Sequence, residues 1–296
     1  MKYNVICFGE VLWDCFGSEK RIGGAPMNVA LHLHNLEINV MLVSSVGNDE
    51  NGKGIVAFLK SKQFDLGYIQ VADNFPTGIV NVKLDENKNA KYDILQPVAW
   101  DYIEYPEQLD NESGVVNALV YGTLACRNEV SRASLLKLMS RTSLNVFDMN
   151  LRSFNIPLEI LETLLSYASV LKINEDEFDF LNETYKLGEK PIYQQAESLS
   201  KRFEVETICI TLGAKGAKIW HKGRLIEHPG FTVQVVDSIG CGDAFLAVFI
   251  AGILQKRSVD ESLARACAAG ALTAKTPGAI PGYTSNDIGK LINYAS

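Results

Sequence analysis

The chain has 296 residues, 47% of them hydrophobic and 21% charged; the length suits one large α/β domain or two modest ones, and the composition excludes extensive disorder. Its 28 Lys and Arg against 35 Asp and Glu give a net charge of −7, which lacks the basic footprint of a nucleic-acid binder or a polybasic membrane adherent. The longest apolar run, 244–254, is well short of the roughly 20 residues that span a bilayer.

In chain order, a strand is expected at 5–8, followed by a strand-like stretch over 11–22 and a helix over 26–36. A strand at 40–46 and a helix at 54–63 come next, and then a second helix-free stretch, 77–98. That stretch reads as a hairpin: strand 78–84, a turn at Asp85-Glu86-Asn87-Lys88-Asn89, and strand 90–95. Strands at 118–121, 144–148, 170–173 and Thr207–Thr211 then alternate with helices at 129–141, 157–166 and 191–203. Pro26, Pro157 and Pro191 fall where a first helical turn begins, as their missing N–H permits.

Such alternation predicts an α/β fold with a mainly parallel central sheet flanked by helices on both faces. The helix-free stretches, roughly 11–22 and 77–98, predict a small β-sheet lid, although an antiparallel extension of the main sheet would read the same way. No Pro-, Gly- or Ser-rich linker divides the chain, so 1–296 is read as a single domain. Met1-Lys2-Tyr3-Asn4 leads to Glu10 and Asp14 without a signal-peptide h-region or cleavage site, which predicts a cytoplasmic protein. The six scattered cysteines form no C-x-x-C pair and are expected as free thiols rather than a zinc site. The sequons at Asn111 and Asn182 carry no meaning without secretion.

The most informative segment is Asp237-Ser238-Ile239-Gly240-Cys241-Gly242-Asp243, which runs into the apolar stretch 244–254. If that stretch is a buried helix, Gly240, Cys241 and Gly242 form its N-terminus, where unpaired amides and the macrodipole attract an anion. Asp243 then places a proton acceptor beside an oxyanion nest. This arrangement suits phosphoryl transfer, with the amides holding the moving phosphoryl charge and Asp243 taking a proton from the acceptor hydroxyl. A carboxylate capping a Gly-rich turn is the competing reading. Cys241 at such a helix end would have a lowered pKa, yet no partner marks it as a nucleophile, and it reads as a small residue.

Two patterns are set aside. Gly47-Asn48-Asp49-Glu50-Asn51-Gly52-Lys53-Gly54 nearly matches a P-loop, but Gly54 replaces the Mg²⁺-ligating hydroxyl, and Asp49 and Glu50 put negative charge where phosphates must sit. No G-x-G-x-x-G dinucleotide fingerprint is present, which removes a Rossmann-type oxidoreductase. His32 and His34 are two apart on a helix, and with His221 and His228 they suggest no metal cluster. Trp13 and Trp100, placed in the lid strands, are candidates either for stacking on a ligand face or for packing.

The segment 237–243 resembles the C-terminal signature of the ribokinase-like (PfkB) family of carbohydrate kinases, D-T-x-G-A-G-D. Further blocks are similar in family order: Cys7-Phe8-Gly9-Glu10 leading to Asp14, Gly23-Gly24-Ala25-Pro26-Met27-Asn28, and Gly47–Gly52 as a structural turn. Asp148-Met149-Asn150-Leu151-Arg152 resembles D-P-N-x-R, with Met149 in place of proline. Lys172-Ile173-Asn174-Glu175-Asp176-Glu177 resembles K-x-N-x-x-E, and Thr211-Leu212-Gly213-Ala214-Lys215-Gly216 resembles T-L-G-x-x-G.

The resemblance implies that Asp14, Gly24 and Asn28 hold a sugar, while Gly240, Cys241, Gly242 and Asp243 carry catalysis. It further implies that Asn174, Glu177, Thr211, Gly213 and Gly216 serve the nucleotide, with Glu177 supporting Mg²⁺ through water. Taken alone, the first block is equally a Gly-Gly turn, while a solvated acidic helix start is the competing reading of 175–177. ATP and Mg²⁺ are the implied cofactors, and D-fructose is favoured by the G-G-A-P-x-N form, by Gly9–Asp14, and by Tyr121-Gly122-Thr123 and Ser131-Arg132. Ribose, 2-keto-3-deoxygluconate or a nucleoside are the alternative substrates, and a non-catalytic sugar or nucleotide sensor is the alternative of another class. Many relatives bind K⁺ through an aspartate like Asp237 and carbonyls of a later loop, here 276–282, where Gly282 stands for a usual serine. The lid edges suggest a homodimer.

Overall fold

The computed structural model describes residues 4–17, 19–84, 90–111, 115–152 and 156–295. The turn expected at 85–89 lies outside these, as do residues 1–3 and most of the sequon at Asn111.

The first half of the chain places β1 (Asn4–Phe8), β2 (Leu12–Phe16), β3 (Glu19–Gly23), α1 (Ala25–Asn35), β4 (Asn39–Gly47), α2 (Glu50–Ser61), β5 (Ile69–Ala72), β6 (Gly78–Leu84) and β7 (Ala90–Ile94). The second half adds β8 (Ala118–Gly122), α3 (Glu129–Met139), β9 (Asn145–Asp148), α4 (Leu158–Tyr167), β10 (Val170–Asn174), α5 (Glu175–Thr184), α6 (Ile192–Phe203) and β11 (Thr207–Thr211). It closes with β12 (Ala217–His221), β13 (Arg224–His228), α7 (Cys241–Leu254), α8 (Val259–Ala274) and α9 (Ser285–Ala295).

The main sheet has nine strands in the order β13-β12-β11-β10-β9-β8-β1-β4-β5, parallel from β5 to β11 and antiparallel at β12 and β13. Its strands read as continuous apolar runs because both faces are covered. In β1 the alternation divides cleanly: Ile6 and Phe8 join the core under α3–α6, whereas Val5 and Cys7 join the core under α1, α2, α7 and α8. α7 is apolar nearly all round because it lies in the interior, with residues 244–252 buried.

The chain leaves β1 toward β4 and β5 on one side, then returns to β8 and runs to β11 on the other. β1 and β8 therefore flank the point where strand order reverses, and a parallel sheet opens a crevice at the carboxyl ends of such strands. A second, separate sheet of order β3-β2-β6-β7 is built from the two helix-free stretches, with β2 and β6 paired in parallel. It is not an extension of the main sheet. Its root is tied to the body by Thr77: the N–H donates to Asp49 Oδ2 at 2.8 Å and the hydroxyl to Asp49 Oδ1 at 2.6 Å.

Several boundaries shift for local reasons. α2 begins at Glu50 rather than at 54, because the Asp49 side chain caps it by accepting the Gly52 N–H at 2.8 Å. That bond confirms the segment from Gly47 as a structural turn. Pro157 and Pro191 act as N-caps rather than first-turn residues, while Pro26 lies within the first turn of α1. Trp100 is not in the second sheet. It sits in a 3-10 turn, Ala99–Tyr102, fully buried beneath the Arg127 guanidinium. β5, β12 and β13 were not anticipated.

Candidate active site

The carboxyl ends of β1, β8, β9, β10 and β11 deliver the residues of interest to one crevice. Beyond β1, Glu10 is buried and its Oε2 has no partner. With Leu12, Asp14, Gly24, Leu124 and Arg152, it lines a pocket between the main body and the second sheet. Burial pushes the Glu10 carboxyl up to about 7 and raises that of Asp14 as well, against the pull of Arg152. Gly24 caps α1 at φ 119, and a Cβ there would lie 2.4 Å from the Glu10 carbonyl oxygen, so only glycine lets the β3–α1 corner close.

Asn28, in the first turns of α1, is buried, and its Nδ2 donates to Asp243 Oδ2 at 2.7 Å. Asn28 Oδ1 is left without a partner. Asp243 stands in the first turn of α7 and faces this cleft, neither turned to solvent nor closed into an ion pair among the described contacts. The turn before it places Gly240 at φ 77 as N-cap, tight against the 276–282 loop: a Cβ would come within 2.6 Å of Ala279. The N–H groups of Gly240, Cys241 and Gly242 stand at the mouth of α7, and that of Cys241 also donates to the Ser238 carbonyl at 3.4 Å. Gly240, Cys241, Gly242, Asp243 and Asn28 are thus brought together, with Asp14 and Gly24 lining the adjoining pocket.

Cys241 departs from expectation. Burial, reinforced by the nearby Asp237 and Asp243 carboxylates, lifts its thiol to about 11 rather than lowering it. A helix terminus does not outweigh two anions and desolvation.

Beneath the turn lies a cation that spacing did not single out. Lys172, buried in β10, bonds Asp148 Oδ1 at 2.9 Å, and a Cβ on Gly242 would stand 3.0 Å from its Nζ. Burial lowers its pKa, but the carboxylates of Asp148, Glu177 and Asp243 outweigh that, so the ammonium is held charged. A lone Lys between Leu171 and Ile173 in an apolar strand was the available signal, since buried lysines occur paired. Met149 also explains its own substitution, because its N–H donates to the Lys172 carbonyl at 3.1 Å, a bond that proline cannot make.

Asn174 and Glu177 form a capping box. Asn174 Oδ1 accepts the Glu177 N–H at 2.8 Å, and the Glu177 oxygens accept the Asn174 and Leu151 N–H groups at 2.8 and 2.7 Å. This fastens the exit of β9 to α5 and accounts for the acidic start of that helix. Thr211 ends β11, its hydroxyl bonded to the Ile173 carbonyl at 3.3 Å. Gly213 (φ 57) and Gly216 (φ 84) shape the turn that follows; a Cβ at Gly216 would be 2.0 Å from the His228 carbonyl oxygen, whereas Gly213 opens onto free space.

Other candidates are scaffold. Trp13 donates its indole N–H to the Asn51 carbonyl at 3.0 Å and packs on Gly54. Ser131 joins Trp100 to Ile103, and Arg132 holds the Cys126 carbonyl. His32 is buried, bonded to the Ala279 carbonyl at 2.9 Å and to the Tyr283 hydroxyl at 3.0 Å.

A protein with this doubly covered sheet, a separate small sheet and an amide nest beside a carboxylate is built as a carbohydrate kinase. The chain belongs to the pfkB family of carbohydrate kinases, whose pattern matches residues 2–286. It is 28% identical to the probable fructokinase-4 of Arabidopsis thaliana over 98% of this chain and 97% of that protein. Its fold matches the ATP-bound fructokinase of Xylella fastidiosa with a TM-score of 0.85 at 21% identity, covering 100% and 99% of the two chains. It also matches a double mutant of the Vibrio cholerae O395 fructokinase in its fructose, ADP and potassium ion bound form. There the TM-score is 0.82 at 23% identity, with 98% of each chain covered.

Proposed function

We propose that this sugar kinase transfers the γ-phosphoryl group of ATP to the primary hydroxyl of a small sugar, D-fructose before ribose, 2-keto-3-deoxygluconate or a nucleoside. The observation that carries the reading is the 2.7 Å bond from Asn28 Nδ2 to Asp243 Oδ2. It holds the Asp243 carboxylate against α1, near enough to Glu10 and Asp14 for its charge to act on both. The hydroxyl oxygen attacks the γ-phosphorus, its proton passes to Asp243, and the bond to the bridging oxygen breaks to release ADP. The N–H groups of Gly240, Cys241 and Gly242 stabilise the charge on the transferring oxygens.

The pocket itself selects the sugar. Asp14 accepts hydroxyl protons, Asn28 offers its unpartnered Oδ1, and a Glu10 carboxyl raised to about 7 keeps a proton it can donate.

Asn174, Thr211, Gly213 and Gly216 border the nucleotide in this reading. Asp148 keeps a buried Oδ2 without a partner, and Glu177 stands near the same lysine. This sparse acidic set fits Mg²⁺, which is held mostly by phosphates and water. Bound there, Mg²⁺ would neutralise phosphate charge. The second sheet acts as a lid that excludes water from the site, and its outer strands, β3 and β7, are the edges through which two copies pair.

ADP release measured across the four sugar classes and fructose 6-phosphate tests the substrate. Asp243→Ala is expected to keep sugar binding and lose about a hundredfold or more of kcat; retention of more than a tenth removes the base assignment. Sugar binding by the unaltered chain without ADP release would favour the sensor.

A further inference from the structure

We infer that Arg21 supplies from within the chain the positive charge that K⁺ provides beside the anion nest in relatives, so that phosphoryl transfer here is independent of monovalent cations. The inference rests on the kinase reading above. Asp237 is the residue through which a cation would be held. Its Oδ2 instead accepts Arg21 Nη1 at 3.1 Å and the Gly278 N–H at 3.0 Å, and its Oδ1 accepts the Ile239 N–H at 3.0 Å. The carbonyl of Ala279, in the loop that would complete the cation's shell, is bonded to His32 Nε2 at 2.9 Å. Both Asp237 oxygens and the Ala279 carbonyl therefore already accept hydrogen bonds. A K⁺ placed on this carboxylate would also stand close to a guanidinium, a like-charge pair that repels by about 1 to 4 kcal/mol at 4 Å, depending on solvent exposure.

The charge has a clear task. Asp237 ties the turn together by binding Ile239 and Gly278, but it sets an anion three residues from the amides that must attract one. A cation on its far side cancels that field. The Asp237 carboxylate is only 15% exposed whereas Arg21 is 38% exposed, so solvent screens the pair chiefly from the arginine side. Arg21 also holds Glu19 through Nε at 2.8 Å, which fixes the guanidinium in one orientation.

The position of Arg21 adds a second consequence. It lies on β3, directly opposite Asp14 in the β2–β3 pairing, so both residues project from the same face of the small sheet. The sugar-binding carboxylate and the cation thus arrive together, and the nest reaches full charge only when that sheet is seated over the site. An ion taken from solution could not be coupled to closure in this way.

The test compares wild type, Arg21→Gln and Arg21→Lys in KCl and in tetramethylammonium chloride of equal ionic strength. Thermal midpoints are read without turnover and kcat in the ADP assay. Wild type is expected to show the same midpoint and the same kcat in both salts. Arg21→Gln is expected to lose on the order of tenfold in kcat in tetramethylammonium and to gain both midpoint and kcat when K⁺ is added. Arg21→Lys, which keeps the charge, is expected to stay indifferent to K⁺. A wild-type midpoint or kcat that rises with K⁺ overturns the inference, as does Arg21→Gln with unchanged kcat. Loss in Arg21→Gln without recovery supports it if Arg21→Lys stays active and opposes it if not. Failure of wild type to turn over any sugar would instead remove the kinase reading, while the midpoint comparison would still judge Arg21.

Discussion

Two buried ionisable groups make the site's chemistry measurable one residue at a time. Burial raises the folded-state pKa of Glu10 from 4.5 to about 7. The protonated form is therefore favoured by folding: its contribution is complete below about 4.5 and is lost as pH rises through 7. Against Glu10→Gln, wild type should lose up to roughly 3 kcal/mol of unfolding free energy across that window. His32 acts in the opposite sense, since burial depresses it from 6.5 to about 4, and its contribution is present above 6.5 and fades as pH falls through 4. Denaturation midpoints against pH should therefore be compared as the difference between wild type and Glu10→Gln, and parallel curves would refute the assignment. Lys172 is the second case. Lys172→Met leaves Asp148 buried without its cation and should cost about 3–5 kcal/mol by urea unfolding, most of which Lys172→Met with Asp148→Leu should restore. The double variant still lacks the charge beneath Gly242, so its kcat should stay low. Recovery of both would reduce the pair to a structural role.

Elements set what single residues can reach, and the two glycine turns make contrasting cases. Gly240 must adopt φ 77 against Ala279, so Gly240→Ala should cost about 1–3 kcal/mol and also displace the amides that serve the phosphoryl group. Gly213→Ala has open space and should cost only the left-handed backbone, about 1 kcal/mol, whereas Gly216→Ala drives a methyl into the His228 carbonyl and should cost clearly more. Equal losses in thermal unfolding for 213 and 216 would contradict this. Much of the element pattern was legible in the sequence, because strands buried on both faces read as apolar runs and Thr207–Thr211 was placed to the residue. The short, half-exposed β5 and the antiparallel β12 and β13 were missed, lacking such runs. Trp100 was misplaced because a buried 3-10 turn and a strand present the same apolar signature over a few residues.

At the scale of the molecule, the alternation of strands and helices was enough to expect a covered parallel sheet, and the nest could be read from Asp237–Asp243 alone. What could not be read was pairing at long range. Asn28 meets Asp243 across 215 positions and Arg21 meets Asp237 across 216. No local spacing encodes these contacts; the crevice at the reversal of strand order creates them. The same holds for the small sheet, whose β2 and β6 come from stretches separated by α1, β4, α2 and β5.

The fastenings of that small sheet are unequal. On one flank Thr77 is knotted into Asp49 and Trp13 is anchored on Asn51, both at the start of α2. Elsewhere the Arg21 guanidinium reaches Asp237, and Arg127 holds the Leu95 carbonyl just past β7 at 2.8 Å. For the proposed lid, a sheet held more firmly at α2 than at Asp237 is expected to part first at the Arg21–Asp237 contact. In that proposal the first turn of α2 serves as the hinge, and weakening the Arg21–Asp237 contact is expected to ease opening of the sheet.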